Sequence, residues 1–162
     1  MHSKIYQISS TPISEEDYRS PDDYYDNSDD FADYIGNSCE GNGREECIEN
    51  FASIIEDVFT YKGGGVFEYN GPEALRKFKQ AWADAIKEHV NTLTADNMLC
   101  EQRLFRLAQL TETTHLGASS RVDIENWTGG VAYPLSELYE WADYQLKKGD
   151  CIYIGAVIDY HY

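Results

Sequence analysis

Cys151-Ile152-Tyr153-Ile154-Gly155-Ala156-Val157-Ile158-Asp159-Tyr160 is the stretch on which the fold turns. Its β-branched and aromatic residues predict a strand with Ile152, Ile154, Ala156, Ile158 and Tyr160 on one face. A strand so near a chain end is ordered by being tied into a sheet. Just before it, residues 134–148 predict a helix. Pro134 stands near its start, Leu135, Leu138, Ala142 and Leu146 face inward, and Lys147 and Lys148 complement its negative end before Gly149. Arg121-Val122-Asp123-Ile124-Glu125 alternates like a half-exposed strand.

Further back, Gly71-Pro72 opens the clearest helix, whose face is Leu75, Phe78, Trp82, Ile86, Val90 and Leu93. A second helix is expected over about 96–111, with Cys100, Leu104, Leu107 and Ala108 inward. Val58-Phe59-Thr60-Tyr61 and Val66-Phe67-Glu68-Tyr69 flank Lys62-Gly63-Gly64-Gly65 and read as a hairpin. The first of these runs competes as an extension of the preceding helix, which Ile48, Phe51, Ala52 and Ile55 place at about 44–57. Residues 3–9 predict a strand, residues 13–27 an irregular stretch around Pro21, and residues 29–35 a short helix capped by Ser28. Residues 36–43 carry loop chemistry. Mixed elements without regular βαβ alternation point to a single α+β domain over 1–162. Its expected sheet has four to five mostly antiparallel strands, with helices packed on one face.

The chain has 162 residues with 29 acidic and 13 basic side chains, a formal net charge of −16. That excess argues against direct nucleic-acid binding and against attraction to an anionic membrane surface. No window is apolar enough to span a bilayer, and the start lacks a signal-peptide pattern, so the expected location is cytoplasmic. Four cysteines (Cys39, Cys47, Cys100, Cys151) are then expected as free thiols; Cys39 and Cys47 would close the shortest loop if any pair bridged.

The charge is uneven. Residues 1–50 hold 13 acids and 3 bases, whereas residues 51–110 hold 8 and 7. From Glu15 to Asp33 nine carboxylates stand against Arg19 alone, interleaved with Tyr18, Tyr24, Tyr25 and Phe31. Solvating acidic tails are poor in aromatics, and this segment, at about 15–35, is rich in tyrosine. Arg76, Lys77, Lys79, Lys87, Arg103 and Arg106 lie on the two central helices, where they are expected to neutralise the acidic segment and order it.

Motifs for chemistry are weak. Lys62-Gly63-Gly64-Gly65 lacks the phosphate-loop pattern, and Asp26-Asn27-Ser28-Asp29-Asp30 has Phe31 where a calcium loop needs glycine. No cysteine or histidine spacing fits a zinc site, so neither metal nor cofactor is expected. Cys100 with His89 or His115 is the arrangement a cysteine nucleophile would use, but Cys100 reads as a buried, inert thiol and His89 as a packing residue. The expected function is protein–protein contact with a basic protein surface, as an inhibitor or nucleic-acid mimic. The expected contact residues are Asp22, Asp23, Tyr24, Tyr25, Asp26, Asp29, Asp30 and Asp33. The alternatives are a small hydrolase or transferase, and a purely solubilising face.

Overall fold

In chain order the elements are β1 (His2–Ser9), two short 3-10 helices (Glu15–Asp17 and Pro21–Asn27), β2 (Tyr34–Ser38), α1 (Gly41–Ile55), β3 (Phe59–Gly63) and β4 (Val66–Tyr69). They continue as α2 (Pro72–Asn91), α3 (Glu101–Thr111), β5 (Arg121–Ile124), β6 (Tyr133–Pro134), α4 (Ser136–Gln145) and β7 (Cys151–His161). The computed structural model describes residues 2–27, 31–111 and 120–162.

One mixed sheet of seven strands runs β3-β4-β7-β1-β5-β6, with β2 also pairing to β7. The α+β class is as expected, but the described residues form seven strands rather than four or five. β1 and β5 are parallel and the other pairings are antiparallel. The additional strands are short. β6 has two residues, and β2 takes Tyr34 and Ile35 out of the helix expected over 29–35. Ile35 is buried and pairs with Tyr160, so the β7 edge offers it hydrogen bonds and a core that a free helix turn would lack. Residues 28–30 of that expected helix lie outside the described residues.

β7 carries the most informative departure. Ile152, Ile154 and Val157 pack in the core under the helices, whereas Ala156, Ile158 and Tyr160 pack in a second core on the opposite face. The register explains this. Tyr6 pairs with Val157 but Ile8 pairs with Ile154, so three steps on β7 match two on β1. One extra residue in a strand reverses every side chain beyond it. The single apolar face expected for β7 is therefore two half-faces joined at a bulge around Gly155.

The bulge is held by side chains. The Ala156 N–H donates to Gln7 Oε1 at 3.0 Å, and the Arg44 guanidinium donates to the carbonyls of Ile154 (2.7 Å) and Gly155 (2.8 Å). Backbone groups displaced from the ladder are thus still paired. Gly155 is required by space, because a Cβ there would sit 2.6 Å from Gln7 Oε1 and 2.9 Å from Ile13 Cδ1. Gly155→Ala is expected to lower stability by about 1–3 kcal/mol through overpacking. Chemical denaturation would show it as a lower midpoint, and an unchanged midpoint would mean that Gln7 gives way freely.

Helices α1, α2 and α4 cover one face. Ile48, Phe51 and Ile55 of α1, Leu75 of α2, and Leu138, Trp141 and Ala142 of α4 join Tyr6, Val122, Ile124 and Ile152 in the larger core. The hairpin reading of residues 58–69 holds, with Gly63, Gly64 and Gly65 all at positive φ in its turn. The α2 and α3 faces are less buried than their patterns predict. Val90 and Leu104 are exposed, and so is Cys100, which is not the core thiol expected: it precedes the first residue of α3, and its carbonyl accepts the Arg103 and Leu104 N–H groups. β5 also differs, since Asp123 is buried together with Val122 and Ile124. No described helix is long and apolar enough to cross a membrane.

Candidate functional site

The acidic segment lies on the sheet face opposite the helices. Tyr24 anchors it. Rather than offering its ring to a partner as expected, Tyr24 is buried among Ile5, Ile35, Ala132, Ala156, Ile158 and Tyr160. Burial first, and then the Asp123 carboxylate, push its phenol far above the ordinary value, so it stays a proton donor. That hydroxyl donates to Asp123 Oδ2 at 2.9 Å.

Asp123 is the centre of a buried network. Its side chain is 2% exposed and takes donors from Tyr24, Arg19 Nε (3.2 Å) and Thr128 Oγ1 (2.7 Å). Gln7 adds a second tie, accepting the Arg19 N–H at 3.0 Å through Oε1 and donating to the Asp17 carbonyl at 3.1 Å through Nε2. A buried carboxylate stands only when its lone pairs are satisfied, and here the satisfying groups come from the acidic segment and the loop after β5.

Tyr18 and Phe31 of the segment also pack against the second core, whereas its described carboxylates face solvent. Glu15, Glu16, Asp17, Asp22, Asp23, Asp26 and Asp33 are exposed, and Tyr25 is 50% exposed. Asp23 also closes a local turn, accepting the Ser20 N–H at 2.7 Å. Asp33 Oδ2 lies 3.1 Å from His161 Nδ1. Asp29 and Asp30 fall outside the described residues, as does His115. Of the eight expected contact residues, Asp22, Asp23, Tyr25, Asp26 and Asp33 are therefore surface groups and Tyr24 is a core group.

Four of the six bases expected to neutralise this segment are instead engaged elsewhere among the described residues. Arg76 pairs with Glu73, Lys79 with Asp143 and Lys87 with Asp84, while Arg103 donates to Thr92 Oγ1. These partners lie on α2, α4 and the end of α2, on the other side of the sheet. His89 meets the Arg103 carbonyl at 2.9 Å, the packing role expected of it.

A cleft of about 490 Å³ opens beside the acidic segment where β7 bulges. Tyr18, Cys39, Ala156 and Val157 contribute to its wall, Arg19 and Arg44 lie within it, and Glu15 and Glu40 also line it. Both guanidiniums are committed, Arg19 to Asp123 and Arg44 to the bulge carbonyls, with Arg44 also stacked 5.3 Å over the Tyr18 ring. Among the described residues no three histidine, cysteine or acidic side chains are grouped to hold a metal ion. The cleft was not legible beforehand, because it depends on the bulge.

A second charged cluster sits where β1 begins and β7 ends. Lys4 Nζ donates to Asp159 Oδ1 at 2.5 Å, and His2 Nδ1 lies 2.9 Å from Asp159 Oδ2. Burial alone would raise the Asp159 carboxyl; hydrogen bonds from Lys4 and His2 outweigh it and hold the carboxyl below its ordinary 3.8. A depressed carboxyl contributes stability that is full above that ordinary value and lost as pH falls through the folded value. Asp159→Asn is accordingly expected to narrow the stability difference between pH 7 and pH 3, measured by urea unfolding. An equal difference in both proteins would show that Asp159 titrates alike folded and unfolded.

Compared with known protein families, curated proteins and solved structures, the chain matches none.

Proposed function

We propose that the protein acts by protein–protein contact, presenting an ordered acidic ridge to a basic protein surface and competing there with a nucleic acid. The observation that carries this reading is the anchoring of the segment through Tyr24, Arg19 and Gln7. Carboxylates on a free tail would lose conformational entropy on binding; carboxylates on an anchored backbone lose less.

The spacing supports the nucleic-acid comparison. The second 3-10 helix has seven residues and carries Asp22, Asp23 and Asp26. At about 2.0 Å per residue it is about 14 Å long, or one carboxylate per about 5 Å. The phosphates of one DNA strand are about 3.4 Å apart along the axis. Asp23 and Asp26, three residues apart, share a face in this geometry. Exposed Tyr25 adds contact area of the kind that interfaces favour, and the neighbouring cleft offers room for one anchoring side chain of the partner.

Immobilised protein and nuclease-treated extract of the source cells provide the test. A retained protein should elute with rising salt and should be displaced by a short DNA or RNA duplex. Retention unaffected by either would count against a basic, nucleic-acid-binding partner.

A further inference from the structure

Cys39 and Cys47 flank the start of α1: Cys39 is two residues ahead of Gly41, and Cys47 is on the second turn. Their sulfurs are 3.8 Å apart, with the Cys47 thiol directed at Cys39 Sγ. A disulfide needs about 2.05 Å, so closure requires an approach of under about 2 Å, within the reach of side-chain rotation. Both residues are half-buried, both are free thiols, and Cys39 lines the cleft beside the acidic ridge.

We infer that Cys39 and Cys47 form a reversible dithiol–disulfide site, oxidised by a small-molecule disulfide that enters through the cleft. The inference stands apart from the proposed function and survives its failure. The Cys39 thiolate attacks one sulfur of the small disulfide, forming a mixed disulfide and releasing one thiolate. Cys47 then loses its proton, and its sulfur attacks Cys39 Sγ and expels the second small thiolate. Two protein thiols are oxidised, one external disulfide is reduced, and the two protons go to the two departing thiolates. Excess small thiol runs the sequence backwards.

The surroundings fit a slow, selective site rather than a reactive nucleophile. Burial, and next the adjacent Cys47 thiol, raise the Cys39 thiol to about 11, against the pull of the Lys4 ammonium. Tyr6 and Lys4 of β1, Asp159 of β7 and Cys47 of α1 are the ionisable groups around it. Thiolate at neutral pH is therefore scarce, and the advantage of the site is the second sulfur already in place. Closing the bond ties the lip of the cleft, Ser38 to Gly41, to the body of α1.

The experiment uses oxidised glutathione on the full chain carrying Cys100→Ser and Cys151→Ser, read by intact mass and non-reducing peptide mapping. The expected product has lost two hydrogens and links the Cys39 and Cys47 peptides. On the same background Cys47→Ser should stop at one glutathione on Cys39. In the wild-type chain the linked pair should appear at oxidised-glutathione concentrations at least about tenfold below those that modify Cys100, because the second step is intramolecular. That wild-type measurement also serves if the serine variants fold poorly. Glutathione on both Cys39 and Cys47 without linkage would overturn the inference. So would modification confined to Cys100 and Cys151, or linkage that forms only in denaturant.

Discussion

Asp123→Ala is expected to cost about 3–5 kcal/mol of stability, because it removes the acceptor around which three buried or half-buried donors are arranged. The Arg19 guanidinium, the Tyr24 hydroxyl and the Thr128 hydroxyl would all lose their shared partner. The buried Tyr24 and Thr128 hydroxyls cannot turn to water without moving the segment or the loop that carries them, whereas Arg19, 38% exposed and at the cleft, can. Tyr24→Phe removes a single hydrogen bond to a charged group and should cost about 1.5–3 kcal/mol. The two variants should also differ in hydrogen exchange, Asp123→Ala speeding exchange in residues 15–27 most, since that segment is held by few other ties. A loss under about 1 kcal/mol for Asp123→Ala, on the scale of one ordinary hydrogen bond, would mean that the ridge is held by packing alone.

Neutralising the ridge is expected to act on association. Glu15→Gln, Glu16→Gln, Asp22→Asn and Asp26→Asn together remove four exposed charges whose carboxylates make no side-chain hydrogen bond or ion pair among the described residues, and they leave the turn made by Asp23 intact. Stability should stay level or rise slightly as self-repulsion falls. The association rate with a basic partner should drop about tenfold or more at low salt, and the difference should shrink as salt approaches 1 M. Tyr25→Ala should instead raise the dissociation rate with little change in salt dependence. Equal association rates for wild type and the four-fold variant at low salt would remove steering from the account.

What could be read from the sequence follows from what each signal encodes. The hairpin at 58–69 and helices α1, α2 and α4 were legible because their periodicity and turn chemistry are local. The α+β class followed from their order. The two-sided character of β7 was not legible, because a bulge is set by register against β1 and leaves no mark in the alternation of apolar residues. The burial of Asp123 and Tyr24 was hidden for a related reason. An aspartate between two valine-like neighbours reads as the solvent side of a strand, and only the segment folded over that side makes it interior. Tyr24 stands among carboxylates in sequence and turns away from them in space. Val90, Leu104 and Cys100 show the reverse error, since helical spacing reports an apolar face without reporting what covers it. The charge distribution, in contrast, is a property of the chain itself: of the expected contact carboxylates Asp22, Asp23, Asp26 and Asp33 are exposed, and Asp29 and Asp30 lie outside the described residues.

The most direct test of a recognising acidic ridge is a paired capture from one nuclease-treated extract at one salt concentration. Wild-type protein and the four-fold neutralised variant would be immobilised at equal density after their unfolding midpoints have been shown to match. The account predicts a basic protein retained by the wild type, lost or much reduced on the variant, and released from the wild type as salt rises. Recovery of the same proteins in the same amounts by both would contradict it and leave the ridge a solvated face.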